Sequence, residues 1–249
     1  MNAPVIHVKG LHKRYGANEV LRGVDLSVAE GEFFGLVGVN GAGKTTLIKC
    51  LLDFIAVDAG AVRLFGVPAT DSRARGGLAF LPEKFTPPYY LTGRDFLRYM
   101  SELYAMDFVE SALIGLLRVV DMDAAALGKP VRQLSKGMAQ KLGVLAALLA
   151  ERPLLVMDEP MSGLDPKVRA LLKSHLLSLK SRTRTLFFST HLLHDVEALC
   201  DRLAILHGGR VAFVGSPAEC CRAFGVDSLE QAYLACVETS SSSARDAST

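Results

Sequence analysis

Eight residues limit what this chain can fold into more than any others. Gly38-Val-Asn-Gly-Ala-Gly-Lys-Thr45 follows the apolar run Phe33-Phe-Gly-Leu-Val37 and leads into Lys44–Leu52, which has helical spacing. An apolar run without polar alternation is the pattern of a strand covered on both faces. Between such a strand and a helix, closely spaced glycines let backbone N–H groups turn inward, and the helix adds the positive end of its dipole. That arrangement cradles phosphate oxygens, with Lys44 reaching the β- and γ-phosphates and the Thr45 hydroxyl ligating Mg2+.

A second segment fits the same chemistry. Leu154-Leu-Val-Met-Asp158-Glu159 is an apolar strand that delivers Asp158 at its carboxyl end, where open α/β sheets bind ligands. Asp158 is placed for the Mg2+ shell, and Glu159 for orienting or deprotonating a water that attacks the γ-phosphate. A third segment, Leu134-Ser-Lys-Gly-Met138, opens a helix that runs on to Ala150, with Ser135 as its cap. Gly137 in that first turn is worse than Ala by about 1 kcal/mol, which capping alone does not explain. A serine hydroxyl, a glycine amide and a helix N-terminus make an anion site. One nucleotide does not need two such corners from one chain.

The rest of the sequence supplies the frame. Val5–Lys9, Val24–Val28 and Ala61–Phe65 read as short strands of an antiparallel sheet, and helical periodicity dominates from about Arg94 to Ala150. Phe96, Leu97, Met100, Leu103 and Tyr104 share one helical face, and Leu113, Leu116, Leu117 and Val120 a second. Strands at Leu154–Met157, Thr185–Phe188 and Arg202–Leu206 alternate with helices at about Lys167–Lys180 and Leu192–Leu199, the pattern of parallel βαβ units. Val211–Val214 reads as an edge strand, Ser228–Cys236 as a last helix, and Thr239–Thr249, polar and Ser-rich, as a disordered tail.

Composition narrows the function. With 249 residues, 50% hydrophobic and 22% charged, the chain is globular rather than disordered throughout. A net charge of +2 argues against a nucleic-acid partner held by bulk electrostatics. Leu142–Ala150, the longest apolar stretch, is far short of the ~20 residues that span a bilayer. The first residues show no apolar segment behind a basic start, so no secretory signal is expected. Five cysteines without Cys-x-x-Cys spacing read as small hydrophobes in a reducing cytosol.

These motifs, in this order, resemble the ATP-binding subunits of ABC transporters from about Val5 to Glu238. The resemblance makes Gly38–Thr45 the Walker A loop, Leu134–Met138 the signature loop, and Leu154–Glu159 Walker B with its catalytic glutamate. Ser162-Gly-Leu-Asp-Pro166 resembles the D-loop, Ser189-Thr-His191 the switch histidine, and Tyr15 the aromatic that stacks on adenine. It implies an α/β P-loop NTPase fold: a mixed, largely parallel core sheet, an N-terminal antiparallel β subdomain and an inserted helical subdomain at about 84–150, within one domain over 1–238. The implied nucleotide residues are Tyr15, Gly38, Asn40, Gly41, Gly43, Lys44, Thr45, Thr46, Ser135 and Gly137. Thr45, Asp158 and Glu83 are the implied Mg2+ residues, and Glu159 and His191 the catalytic pair. The other five histidines read as solvated or capping.

In this family two subunits pair head to tail, and the signature loop of one faces the γ-phosphate held by the other, which accounts for the second corner. The implied partners are a second copy or a paralogue and a polytopic permease at the cytoplasmic face of the membrane. Glu83, in Leu81-Pro-Glu83, stands where the family usually has Gln, and this stretch resembles the group paired with exporter-type permeases. The aromatics of Pro87-Pro-Tyr-Tyr-Leu91 fit either a membrane partner or the packing of a hinge. A soluble ABC-type ATPase, such as one assembling iron–sulfur clusters, is the alternative. The interval from Lys44 to Ser135 is too short for the coiled-coil insertions of DNA-repair ATPases, and no Asn-Lys-x-Asp guanine reader is present.

Overall fold

The computed structural model describes residues 4–180 and 184–246. Two strands at the amino end, β1 (Ile6–Tyr15) and β2 (Asn18–Val28), form a hairpin longer than the sequence suggests. With β4 (Ala59–Leu64) and β5 (Val67–Pro68) they make an antiparallel sheet in the order β2-β1-β4-β5. Between them in sequence lie β3 (Phe33–Val37) and α1 (Lys44–Leu51), followed later by β6 (Leu78–Leu81).

The helical block comprises α2 (Gly93–Leu103), α3 (Glu110–Val119) and α4 (Lys136–Leu149). The chain then alternates through β7 (Leu154–Asp158), α5 (Pro166–Lys180), β8 (Thr185–Thr190), α6 (Leu193–Leu199) and β9 (Arg202–His207). It closes with β10 (Arg210–Gly215), α7 (Pro217–Phe224) and α8 (Leu229–Asp246). The second sheet runs β10-β9-β3-β8-β7-β6; it is parallel from β9 to β6, and only β10 is antiparallel. The mixed, largely parallel core expected from the βαβ pattern is what forms.

Side chains of the parallel strands alternate between two cores, as the two-residue strand period requires. Phe34, Val156 and Phe187 face α1 and the antiparallel sheet, and the Phe34 and Phe187 rings stack 6.0 Å apart. Phe33, Leu155, Met157 and Phe188 face the helical block and α5. Val37, Leu203 and Ile205 meet the carboxyl-terminal helices in a third cluster. Burial pushes the thiols of Cys50 and Cys220 up to about 11, so both pack as neutral apolar groups.

Two expectations need correction, and one helix lies where none was expected. Leu103 does not join the buried face of α2; it is 61% exposed, because the helix ends there and the chain turns away at Tyr104. α7 was not foreseen, although Ser216 and Glu219 cap each other's backbone in a capping box, Pro217 sits at its start and Gly225 closes it in a left-handed conformation. The Ser-rich segment expected to be disordered from Thr239 continues α8 to Asp246. Thr239 Oγ1 donates to the Ala235 carbonyl (2.8 Å) and Ser240 Oγ to the Cys236 carbonyl (2.7 Å), so these hydroxyls bond back along the helix instead of competing with it. Residues 247–249 of the expected tail lie outside the described residues.

Candidate functional site

The carboxyl ends of β3, β7 and β8 lie side by side, with Asp158 opposite Ser189 and Val37 opposite Thr190. The loop after β3 crosses this edge and enters α1, whose cap residue Gly43 has φ 107° and offers no side-chain bond to the first turn. That conformation suits only glycine, and a Cβ there would press on Leu21 Cδ2 at 3.0 Å. Gly38 is required for a different reason: a Cβ would stand 2.6 Å from the Leu206 carbonyl oxygen. The first amides of α1 have no intrahelical acceptor and no side-chain cap. They border a cleft of about 380 Å³ lined by Asn40, Gly41, Gly43, Lys44, Thr45, Thr46, Glu83, Glu159 and His191. A helix N-terminus opening on such a cleft is an anion site.

Charge in the cleft is organised around Glu159. Lys44, only 6% exposed, donates from Nζ to the Gly38 carbonyl (2.7 Å) and pairs with Glu159 Oε1 at 3.3 Å. Glu159 Oε2 lies 2.9 Å from His191 Nδ1. The Glu159 backbone N–H meets both Ser189 Oγ (3.0 Å) and the Ser189 carbonyl (3.2 Å), while Ser189 Oγ donates to Asp158 Oδ1. Two adjacent strand ends are thereby locked together.

Thr45, Glu83 and Asp158 also line an adjoining groove of about 450 Å³, with Phe54 and Phe80 set edge to face at 5.6 Å. This donor set is all oxygen, a hydroxyl and two carboxylates, which suits Mg2+ better than a softer metal. Among the described residues no three His, Cys, Asp or Glu side chains converge as a complete cage. Mg2+ fits such a set because it keeps waters and completes its shell with phosphate oxygens.

Not every expected residue joins the cleft. Tyr15 is half exposed at the tip of the β1–β2 hairpin, with Lys13 Nζ 5.6 Å from its ring centroid, and is not part of the lining. Ser135 and Gly137 stand at the start of α4, outside the cleft. The Ser135 hydroxyl accepts from the Met138 N–H (3.2 Å), as a cap should, and Gly137 lies against the Gly163 carbonyl. Val20 and Ser162 line the cleft and were not foreseen. Ser162 was visible as the first residue of Ser162-Gly-Leu-Asp-Pro166, whereas nothing local in the sequence marks Val20.

Comparison with known proteins agrees with this geometry. Residues 21–162 match the family model described as ABC transporter. An uncharacterized ABC transporter ATP-binding protein of Synechocystis sp. is 40% identical over 204 residues, covering 81% of this chain and 58% of that protein. This chain therefore spans less than two thirds of the length of that relative. A Nod factor export ATP-binding protein I of Ralstonia nicotianae is 36% identical over 222 residues, 88% of this chain and 69% of that one. A solved structure of an ATP binding subunit of an ABC transporter superposes with a TM-score of 0.85 at 33% identity, covering 93% of this chain and 99% of that one. The glycine cradle, the carboxylate pair at the end of β7 and these matches lead to one assignment: the chain belongs to the ABC transporter family, on the side of its ATP-binding subunits.

Proposed function

We propose that this chain binds and hydrolyses ATP to energise transport through a separate permease, acting as a head-to-tail dimer with two ATP molecules sandwiched between protomers. The observation that carries this reading is the separation of two anion-directed corners within one chain. The cleft gathers the cradle, Lys44, Glu159 and His191, whereas Ser135 is exposed and outside it. An outward-facing corner of this kind can complete the cleft of a second copy, either of this chain or of a paralogue.

In this reading the backbone from Gly38 to Gly43 and the free amides of α1 hold the β- and γ-phosphates, with Asn40 and Thr46 at the rim. Lys44 exchanges the Gly38 carbonyl and Glu159 for phosphate oxygens. Tyr15 offers its ring to the adenine from the hairpin tip. Glu159, freed from Lys44, takes the proton of the attacking water on Oε1, while His191 keeps Oε2 in place. Thr45, Asp158 and Glu83 would hold Mg2+, which supplies charge neutralisation on the phosphates.

No helix among the described residues is long and apolar enough to cross a membrane; in this reading a polytopic partner supplies the membrane-spanning part. Tyr89 and Tyr90, 68% and 71% exposed and set edge to face at 5.6 Å, support a docking contact in that region, at the cytoplasmic face of the membrane. Likeness to Nod factor export subunits supports the export direction.

Light scattering on Glu159→Gln in saturating ATP tests the dimer: a mass of two chains is expected, and a persistent monomer defeats the proposal. Affinity purification from detergent extracts tests the permease. A polytopic membrane protein should accompany the chain, and its absence would leave the soluble ATPase alternative.

A further inference from the structure

One buried carboxylate has no part in the roles above. Asp195, in the first turn of α6, has no exposed surface. Its Oδ1 lies 2.5 Å from Lys173 Nζ and 3.0 Å from His194 Nε2, and its Oδ2 lies 3.6 Å from Arg169 Nη2. Arg169 Nη2 is also 3.0 Å from His194 Nε2. Neither Asp195 oxygen finds a hydrogen bond of good geometry, so charge holds it. Arg169 and Lys173, four positions apart, put both cations on one face of α5. Removing a carboxylate from water is costly, and replacing a whole buried ion pair by apolar side chains is often neutral or stabilising. An ionic cluster instead fixes which positions of the two helices meet.

The positions it fixes lead back to the cleft from both sides. After Glu159 the chain turns through a Ser162 N–H to Glu159 carbonyl bond (3.0 Å) and enters α5, where Asp165 caps the Val168 N–H at 3.0 Å. After His191 the Leu192 N–H is held by Thr190 Oγ1 (3.0 Å), and the Asp195 N–H by the Leu192 carbonyl (3.1 Å). Glu159, α5, Asp195, α6 and His191 thus form a closed ring of contacts, shut by the His191–Glu159 bond. We infer that Asp195 is a positioning residue, fixing α6 on α5 and so holding His191 against Glu159. The inference rests on the reading of Glu159 and His191 as the hydrolytic pair.

Two variants test it: Asp195→Asn, which keeps the volume, and Lys173→Met, which keeps the aliphatic stem. Each should lower ATP turnover about tenfold, as small misplacements of a reacting group do, with KM for ATP within about twofold of the parent. The His191 ring signal in side-chain NMR, assigned by its loss in His191→Ala, should move in both variants. In the His191→Ala background Asp195→Asn should cost nothing more, because the two residues act as a unit. Full turnover with an unmoved His191 signal overturns the inference, as does an equal further loss in the double variant. If Asp195→Asn fails to fold, Lys173→Met decides by the same signals. If the unaltered chain hydrolyses no ATP, the reading of the site falls, and the His191 signal alone, moved or unmoved, decides for or against the role of Asp195.

Discussion

Glu159 has φ 50°, the left-handed region that a side chain with a Cβ enters at a cost of about 1–3 kcal/mol. It stays there because its N–H is held twice by Ser189 and its carboxylate spans Lys44 and His191. The conformation turns the carboxylate off the end of β7 and into the cleft, where a phosphate would compete with it for Lys44. Glu83 occupies the same rim but is exposed and carries no such constraint. Glu83→Gln removes one negative charge from the cleft proposed to hold the phosphates, so ATP affinity without Mg2+ should hold or tighten by about 1 kcal/mol or less, under tenfold. Titration calorimetry checks this, and lost binding would show that Glu83 has another role. That Lys44 and Thr45 reach the cleft and Asp158 the adjoining groove is legible in the sequence, because local spacing sets both strand ends. Ser189, which ties Asp158 to Glu159 across 31 positions of chain, was not marked as a site residue, because only the pairing of β7 with β8 puts it there.

The same distinction separates the helices and strands that could be foreseen from those that could not. β3 and β7 stand out because burial on both faces leaves continuous apolar runs. β6, with only Leu78-Ala-Phe-Leu81, is too short to show a period and becomes a strand by pairing with β7. α8 shows the limit from the other side: its composition suggests a disordered end, while hydroxyl back-bonds let the helix run on. Among the described side chains its anchorage lies in the first turns, where Leu229, Ala232 and Cys236 are buried and Leu234 is 55% exposed. Leu229→Ala should therefore cost about 2–5 kcal/mol in urea unfolding. Deleting 239–249 removes the back-bonds of Thr239 and Ser240 but none of these buried anchors, so it should change stability by about 1 kcal/mol or less. A truncation as damaging as Leu229→Ala would mean that the Ser-rich end carries packing of its own.

Across the whole molecule, carboxylates at or near the surface hold local turns and, at Asp58 and Glu19, neighbouring stretches of chain. Asp58 accepts the Arg14 N–H, which fastens the chain before β4 to β1, and that bond holds its carboxyl below the usual range. The Val168 N–H does the same for Asp165 at the start of α5, the Ser216 N–H for Glu219 at α7, the Arg73 side chain for Asp71, and the His12 ring for Glu19. Five carboxyls with depressed folded values bind fewer protons in the native state than in the unfolded one, so stability rises with pH through their titration range. Their contribution is complete above the ordinary values of 3.8 for Asp and 4.5 for Glu and is lost as pH falls through the lower folded values. The contribution of these five groups to the melting temperature should accordingly be level above about pH 5 and fall below about pH 4. Asp58→Asn should flatten part of that fall, since the amide keeps an acceptor oxygen for Arg14 but no longer titrates. Thermal melts in steps from pH 7 to 3 check both expectations, and a melting temperature that holds to pH 3 would show that these ties do not distinguish the folded from the unfolded chain.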